Sequence, residues 1–227
     1  MAVSQQTNPD VATEYATLRY VIQQTLARVA TCTVVRVVKC TNAGGVAPVG
    51  FVDVQPVVNM QDGAGVTWEY GTLFTLPYSR LQGGACAVIL DPKPGDIGLV
   101  CFASRDISVA KSATGRDQIK TGTVPPGTRR QFDISDGVYV GGILNGNPTT
   151  WVRFTDDGDV EVLSPTKVTI QAPTIELKGD VVQTDGDVSM SGTATAVVDV
   201  VGGGISLKNH THGGVTSGGA NTAPPNP

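Results

Sequence analysis

The chain holds only two histidines, and both lie in a single His210-Thr211-His212 triplet. In an extended segment, residues two apart project to the same side, so both imidazoles are placed to serve one metal ion. Two imidazoles alone make an incomplete, weak site. Three chains meeting on a threefold axis would bring two from each and could fill an octahedral shell. The flanking glycines, Gly213 and Gly214, would let three backbones crowd at such an axis without Cβ clashes. The bland reading is a flexible polar patch near the end of a chain. A repeat region just upstream, which itself asks for oligomerisation, tips the balance toward the metal.

Other chemistry finds little support. Both histidines sit in the far C-terminal tail, so no Cys, Ser or Asp nucleophile can be paired with one. Gly141-Gly142 and Gly202-Gly203-Gly204 lack the pattern of a phosphate loop and read as turns. Asp156, Asp157 and Asp159 lack the remaining positions of a calcium loop and read as a β-turn with solvated carboxylates. Arg129-Arg130 is too small a basic patch to argue for a partner. Cys32, Cys40, Cys86 and Cys101 have no CxxC spacing and sit in strand-like segments, which predicts buried, reduced thiols.

Composition points to β structure. Gly (28) and Pro (14) are high for 227 residues, charged residues are only 16%, and Val (33) and Thr (26) give a β-branched excess. A net charge of -4 argues against a protein that grips nucleic acid through a basic face. The opening MAVSQQTNPD lacks the charged and apolar regions of a secretory leader, and no window has the apolar length of a membrane helix. Assembly in a cytoplasm is the expectation.

The elements that must position the histidines follow from periodicity. Val11, Tyr15, Leu18, Ile22, Leu26 and Val29 recur every three or four residues and predict one helix. Strands are expected at 31–39, 49–55, 71–76, 85–90 and 98–102, with glycine at the corners. Five short strands of this kind suggest a small barrel of the oligonucleotide/oligosaccharide-binding (OB) type, with a split sandwich as competitor. Residues 106–150 read as loops that return to the barrel. From Trp151, short apolar-alternating runs are punctuated by Asp-Gly and Pro turns. Val162, Val168, Ile170, Ile175 and Leu177 belong to runs too short to bury anything alone, so stacked copies of the chain are expected to complete their core. A single-chain hairpin extension is the alternative. The resulting division is a helical segment 1–30, an OB-fold base 31–148, a trimeric β-helix shaft 149–207 and an apex 208–227.

With these features in view, the chain resembles the central spike, or baseplate assembly protein V, family of contractile-tailed bacteriophages. The resemblance rests on Phe51-Val52-Asp53-Val54-Gln55-Pro56 with Pro94-Gly95-Asp96-Ile97-Gly98-Leu99-Val100 and Phe102-Ala103-Ser104-Arg105-Asp106. It rests also on the Asp-Gly-punctuated repeat from 157 and, most specifically, on Asn209-His210-Thr211-His212-Gly213-Gly214. It implies a mainly β homotrimer whose OB-fold base joins a tail-tube hub protein, followed by an intertwined β-helix and a metal-binding tip. His210 and His212 of three chains would hold one ion, iron by analogy with the family. The implied role is mechanical: a spike at the virion tail tip, driven into the host outer membrane as the sheath contracts. Some relatives carry a lysozyme domain between base and shaft; residues 106–150 are too few for one, which implies a spike without enzymatic activity. A host-binding tail fibre or adhesin is the alternative, though aromatic residues stop at Phe154. A non-haem iron enzyme would need a carboxylate partner and a pocket wall that a glycine-rich end does not offer.

Overall fold

The computed structural model describes residues 14–62, 64–210 and 218. The chain divides into two compact units, Met1–Thr166 and Lys167–Pro227. The first opens with helix α1 (Glu14–Leu26) and then runs almost entirely as strands and turns. These are β1 (Cys32–Cys40), β2 (Phe51–Pro56), a small hairpin of β3 (Met60–Gln61) and β4 (Thr67–Trp68), and β5 (Leu73–Pro77). A second small hairpin, β6 (Gln82–Gly83) with β7 (Cys86–Ala87), precedes β8 (Ile97–Phe102). Short helices α2 (Ser108–Lys111) and α3 (Ala113–Gln118) and a 3-10 turn (Ile134–Asp136) lead to β9 (Gly137–Gly142). The unit closes with β10 (Trp151–Phe154) and β11 (Val160–Leu163). No helix among the described residues is long and apolar enough to cross a membrane.

Five strands form one sheet in the order β5-β2-β1-β8-β9, each neighbour antiparallel to the next. The sheet curls into a half-barrel, and its outer strands meet where Tyr78, just after β5, bridges Tyr139 of β9 in parallel. Ser79 N–H donates to Tyr139 O at 2.7 Å across that seam. Alternation explains the core. Residues two apart share a face, so Val35 and Val37 of β1, Val52 and Val54 of β2, and Val100 of β8 point inward together. Leu76, Tyr78 and Tyr139 complete the cluster.

Three expectations need correction. The segment 85–90 is not a strand of the sheet; only Cys86–Ala87 pair, with Gln82–Gly83, and Val88 and Leu90 are exposed. Its place is taken by β9, inside the stretch read as loops. The physical reason is the Tyr139 ring, which covers Gly98 so closely that any Cβ there would collide with it. One inward aromatic against a glycine does what an apolar run usually does. The thiols are not buried either: Cys32 and Cys86 are exposed, and Cys40 and Cys101 are not fully buried. Cys32 and Val34 alternate with inward Val35 and Val37, so Cys32 falls on the outer face of β1. The predicted helix is present, but its apolar residues Tyr15, Leu18, Ile22 and Leu26 are all exposed within the described chain.

Two ionic clusters pin the loops of the base. Arg80 donates to Asp91 Oδ1 at 2.6 Å, and the Tyr78 hydroxyl donates to the same oxygen at 2.6 Å. Gly44 N–H reaches Asp91 Oδ2 at 2.9 Å, while Arg80 also donates to Ala47 O. Burial opposes the charge on Asp91, but the bonds from Tyr78, Arg80 and Gly44 outweigh it and hold its pKa below the usual carboxylate range. In the second cluster Arg130 binds Asp136 at 3.0 Å and Asp106 at 3.1 Å. Asp106 also accepts from Ser108 N–H and the Thr128 hydroxyl, at 2.8 and 2.7 Å. The bonds from Ser108, then Thr128, hold the Asp106 pKa far down against the cost of burial.

Two outcomes follow for the base. Gly98→Ala is expected to cost about 1–3 kcal/mol, because the buried Tyr139 ring has nowhere to go; a urea midpoint measures it. Asp91 and Asp106 have folded pKa values below their unfolded reference of ~3.9. Their contribution is therefore complete above that value and is lost as pH falls through the folded values. The urea midpoint of the full chain should decline steadily below about pH 4, and Asp91→Asn should make that decline shallower while lowering stability at neutral pH.

Candidate metal centre

His210 is reached through a tight local scaffold in the second unit. Strands β12 (Val201–Gly202) and β13 (Ile205–Ser206) pair as a two-residue hairpin, with Val201 opposite Ser206 and Gly202 opposite Ile205. The turn residues Gly203 and Gly204 have φ of 55° and 83°. A turn with both central residues at positive φ matches the twist of the flanking strands and favours glycine at both positions. The run read from sequence as a turn is one.

Asp199 fastens the base of this hairpin. Its Oδ1 accepts from Val200 N–H at 2.8 Å and from Lys208 N–H at 3.1 Å, and Leu207 N–H donates to Val200 O at 2.8 Å. The Ser206 hydroxyl, helped by the two amides, holds the Asp199 carboxyl below its usual range against the opposing cost of burial. Beyond the hairpin the chain folds back on Ser206: Asn209 N–H donates to Ser206 Oγ at 2.9 Å and His210 N–H to Ser206 O at 3.1 Å.

These bonds aim the first histidine. Its Nδ1 lies 2.9 Å from Leu207 O and 3.2 Å from Ser206 O. Carbonyl oxygens only accept, so Nδ1 carries the proton and the ring's lone pair is on Nε2. An imidazole whose other nitrogen donates to a backbone carbonyl is the usual arrangement of a metal-binding histidine. His210 therefore fits a metal ligand in tautomer and in anchoring. His212 lies outside the described residues, as do Gly213 and Gly214. Among the described residues, no three His, Cys, Asp or Glu side chains converge as a ligand set.

A family model, the GpV Apex motif, matches residues 204–226. The match covers this C-terminal segment alone and makes it similar to the apex of phage baseplate central spike proteins. It begins at the second turn glycine and takes in both histidines of the chain. No curated protein matches the chain.

The residues expected to form the core of the repeat region are described, and all are exposed in the single chain. Val162 is in β11, opposite Val152 of β10, within the first unit. That hairpin is closed by the Thr155–Asp159 turn, with Gly158 at φ 90°, so the acidic group reads correctly as a turn. Arg153 and Glu161 face each other across it at 2.6 Å. Val168, Ile170, Ile175 and Leu177 lie in the second unit, upstream of the hairpin that holds His210.

Asp199 and Ser206 were not singled out by sequence. The one local signal is Asp199 standing two residues before the first strand of the hairpin, where a short carboxylate can accept from nearby backbone amides. Replacing it tests the scaffold. Asp199→Ala should speed amide exchange several-fold at Val200 and Lys208, read by hydrogen–deuterium exchange, with the β1–β2 amides of the base unchanged.

Proposed function

We propose that this chain is a phage tail spike that works as a homotrimer and pierces the host outer membrane when the tail sheath contracts. One observation carries the proposal. Among the described residues, 168–199 make no backbone–backbone hydrogen bond with one another, yet they carry an alternating series of exposed apolar side chains. Ile170 is 72% and Leu177 68% exposed. A chain that turns repeatedly at glycines such as Gly179 and Gly186, both at positive φ, has the geometry of a stacked strand-and-turn repeat. Its amides and its valines need partners of the same kind, and two further copies of the same segment would supply both. The shaft is thus an intertwined trimeric β-helix, with Val162, Val168, Ile170, Ile175 and Leu177 turned to its interior.

In this reading the curled sheet is an OB-fold base. The strand order β5-β2-β1-β8-β9, brought round by the parallel Tyr78–Tyr139 bridge, is what that barrel requires. The base seats the spike on a tail-tube hub protein, and the exposed apolar face of α1 lies in the same unit. In the second unit, His210 and His212 from three chains hold one metal ion, with iron the expectation. The ion supplies a cross-link where the chain has almost no apolar area to bury. The Asp199–Ser206 scaffold orients His210 and fixes the proton on Nδ1. The protein has no catalytic role; rigidity is its function.

Mass and metal content test this directly. Native mass spectrometry should give three chains and close to one metal per trimer. Burying an aliphatic side chain contributes about 1.5–3 kcal/mol, so Ile170→Asp, present in all three copies, should prevent shaft assembly. His210→Ala with His212→Ala should remove the metal and leave a trimer with lowered infectivity. A monodisperse native monomer would refute the trimer, and unchanged metal content in the double variant would refute the site.

A further inference from the structure

Two of the four thiols stand face to face. Cys32 opens β1, Cys101 sits near the end of β8, and the two are register partners in the antiparallel pair. Their sulfurs are 3.1 Å apart. The ladder fixes what kind of pair this is. Phe102 N–H donates to Thr31 O, and Val37 N–H donates to Asp96 O. Both bonded pairs involve odd-numbered residues of the first strand. Cys32 and Cys101 therefore form a non-hydrogen-bonded pair, in which opposed Cα atoms stand about 4.5 Å apart and side chains come closest. That separation lies inside the ~4.4–6.8 Å that disulfides span.

We propose that Cys32 and Cys101 are an oxidation site, joined by an intramolecular disulfide when the protein meets a disulfide-type oxidant. The sulfurs need to approach by only about 1 Å to reach bonding distance. Access is open on the Cys32 side, which is exposed and borders a cavity of about 220 Å³ that also touches Phe102 and Pro56. The remaining cysteines, Cys40 and Cys86, make no sulfur–sulfur contact.

The exchange balances as follows. The Cys32 thiol loses its proton, and its sulfur attacks one sulfur of an oxidant R–S–S–R, expelling R–S⁻ and leaving Cys32 in a mixed disulfide. Cys101 loses its proton and attacks the Cys32 sulfur, expelling the second R–S⁻. The protein gives up two electrons and two protons, and the oxidant leaves as two R–SH. Hydrogen bonding to Cys32, with burial, pushes the Cys101 thiol up. The second step therefore speeds up as the pH rises. The bond links residues 69 apart in sequence across the central strands of the sheet, so it restricts the unfolded chain. It is independent of the spike reading, since neither the shaft nor the apex takes part.

Full-length protein treated with oxidised glutathione, quenched with N-ethylmaleimide and digested without reductant tests the proposal. The expected product is a Cys32–Cys101 linked peptide pair, with two of the four thiols per chain lost. Cys101→Ser should stop at a glutathione adduct on Cys32, and Cys40→Ser should form the bond as the native protein does. Four alkylated thiols, glutathione adducts without a link in the native chain, or a Cys32 bond joining two chains would each overturn it.

Discussion

Extended backbone must find hydrogen-bond partners from outside its own strand, and every other feature of this chain follows from where those partners come from. The base finds them within one chain. Its five strands are ordered so that each has a neighbour, and the curl brings even the outer edges together at Tyr78 and Tyr139. Residues 168–199 have no such neighbours among the described residues. The same alternation of apolar and polar residues thus closes a core in one unit and leaves valines and isoleucines exposed in the other. Along 168–199 the exposed apolar side chains stand beside peptide groups with no backbone partner among the described residues, so a second surface of identical periodicity would satisfy both at once.

The base depends as much on buried charge as on its small apolar cluster. That cluster is mostly valine, with few large side chains, and the intervening loops are long and glycine-rich. Arg80–Asp91 and Arg130–Asp106–Asp136 hold those loops at defined points. Removing one member of such a buried pair leaves an uncompensated charge, so these contacts specify a single loop arrangement even where their net stabilisation is small. Asp91 joins three separate stretches, through Gly44, Tyr78 and Arg80. It ties loop to sheet at the seam where the curl is completed.

In the hairpin before His210 the scale is smaller, but the principle is the same. A two-residue hairpin has little area to bury, so hydrogen bonds to a single carboxylate and a single serine set its shape. Two glycines permit the turn, Asp199 ties its ends, and Ser206 receives the returning chain. The outcome is one imidazole with its proton assigned and its second nitrogen carrying the lone pair. The proposed metal site rests on the backbone geometry just upstream of His210.

Sequence alone determined those features that depend on local pattern. The period of the first helix, the alternation in β1, β2, β5 and β8, the Gly203-Gly204 turn and the His210-Thr211-His212 triplet are all properties of neighbouring residues. Those residues constrain one another whatever the rest of the chain does. Tertiary structure decided the rest. Residues 85–90 have a strand's composition but no open edge to join, while Gly137–Gly142, poor in apolar residues, fills the edge because Tyr139 fits over Gly98. The pairing of Cys32 with Cys101 could not be read from a spacing of 69, because register arises only when two distant strands align. The exposure of Ile170 and Leu177 is likewise invisible in their pattern, since a period says which side chains share a face and not what covers it.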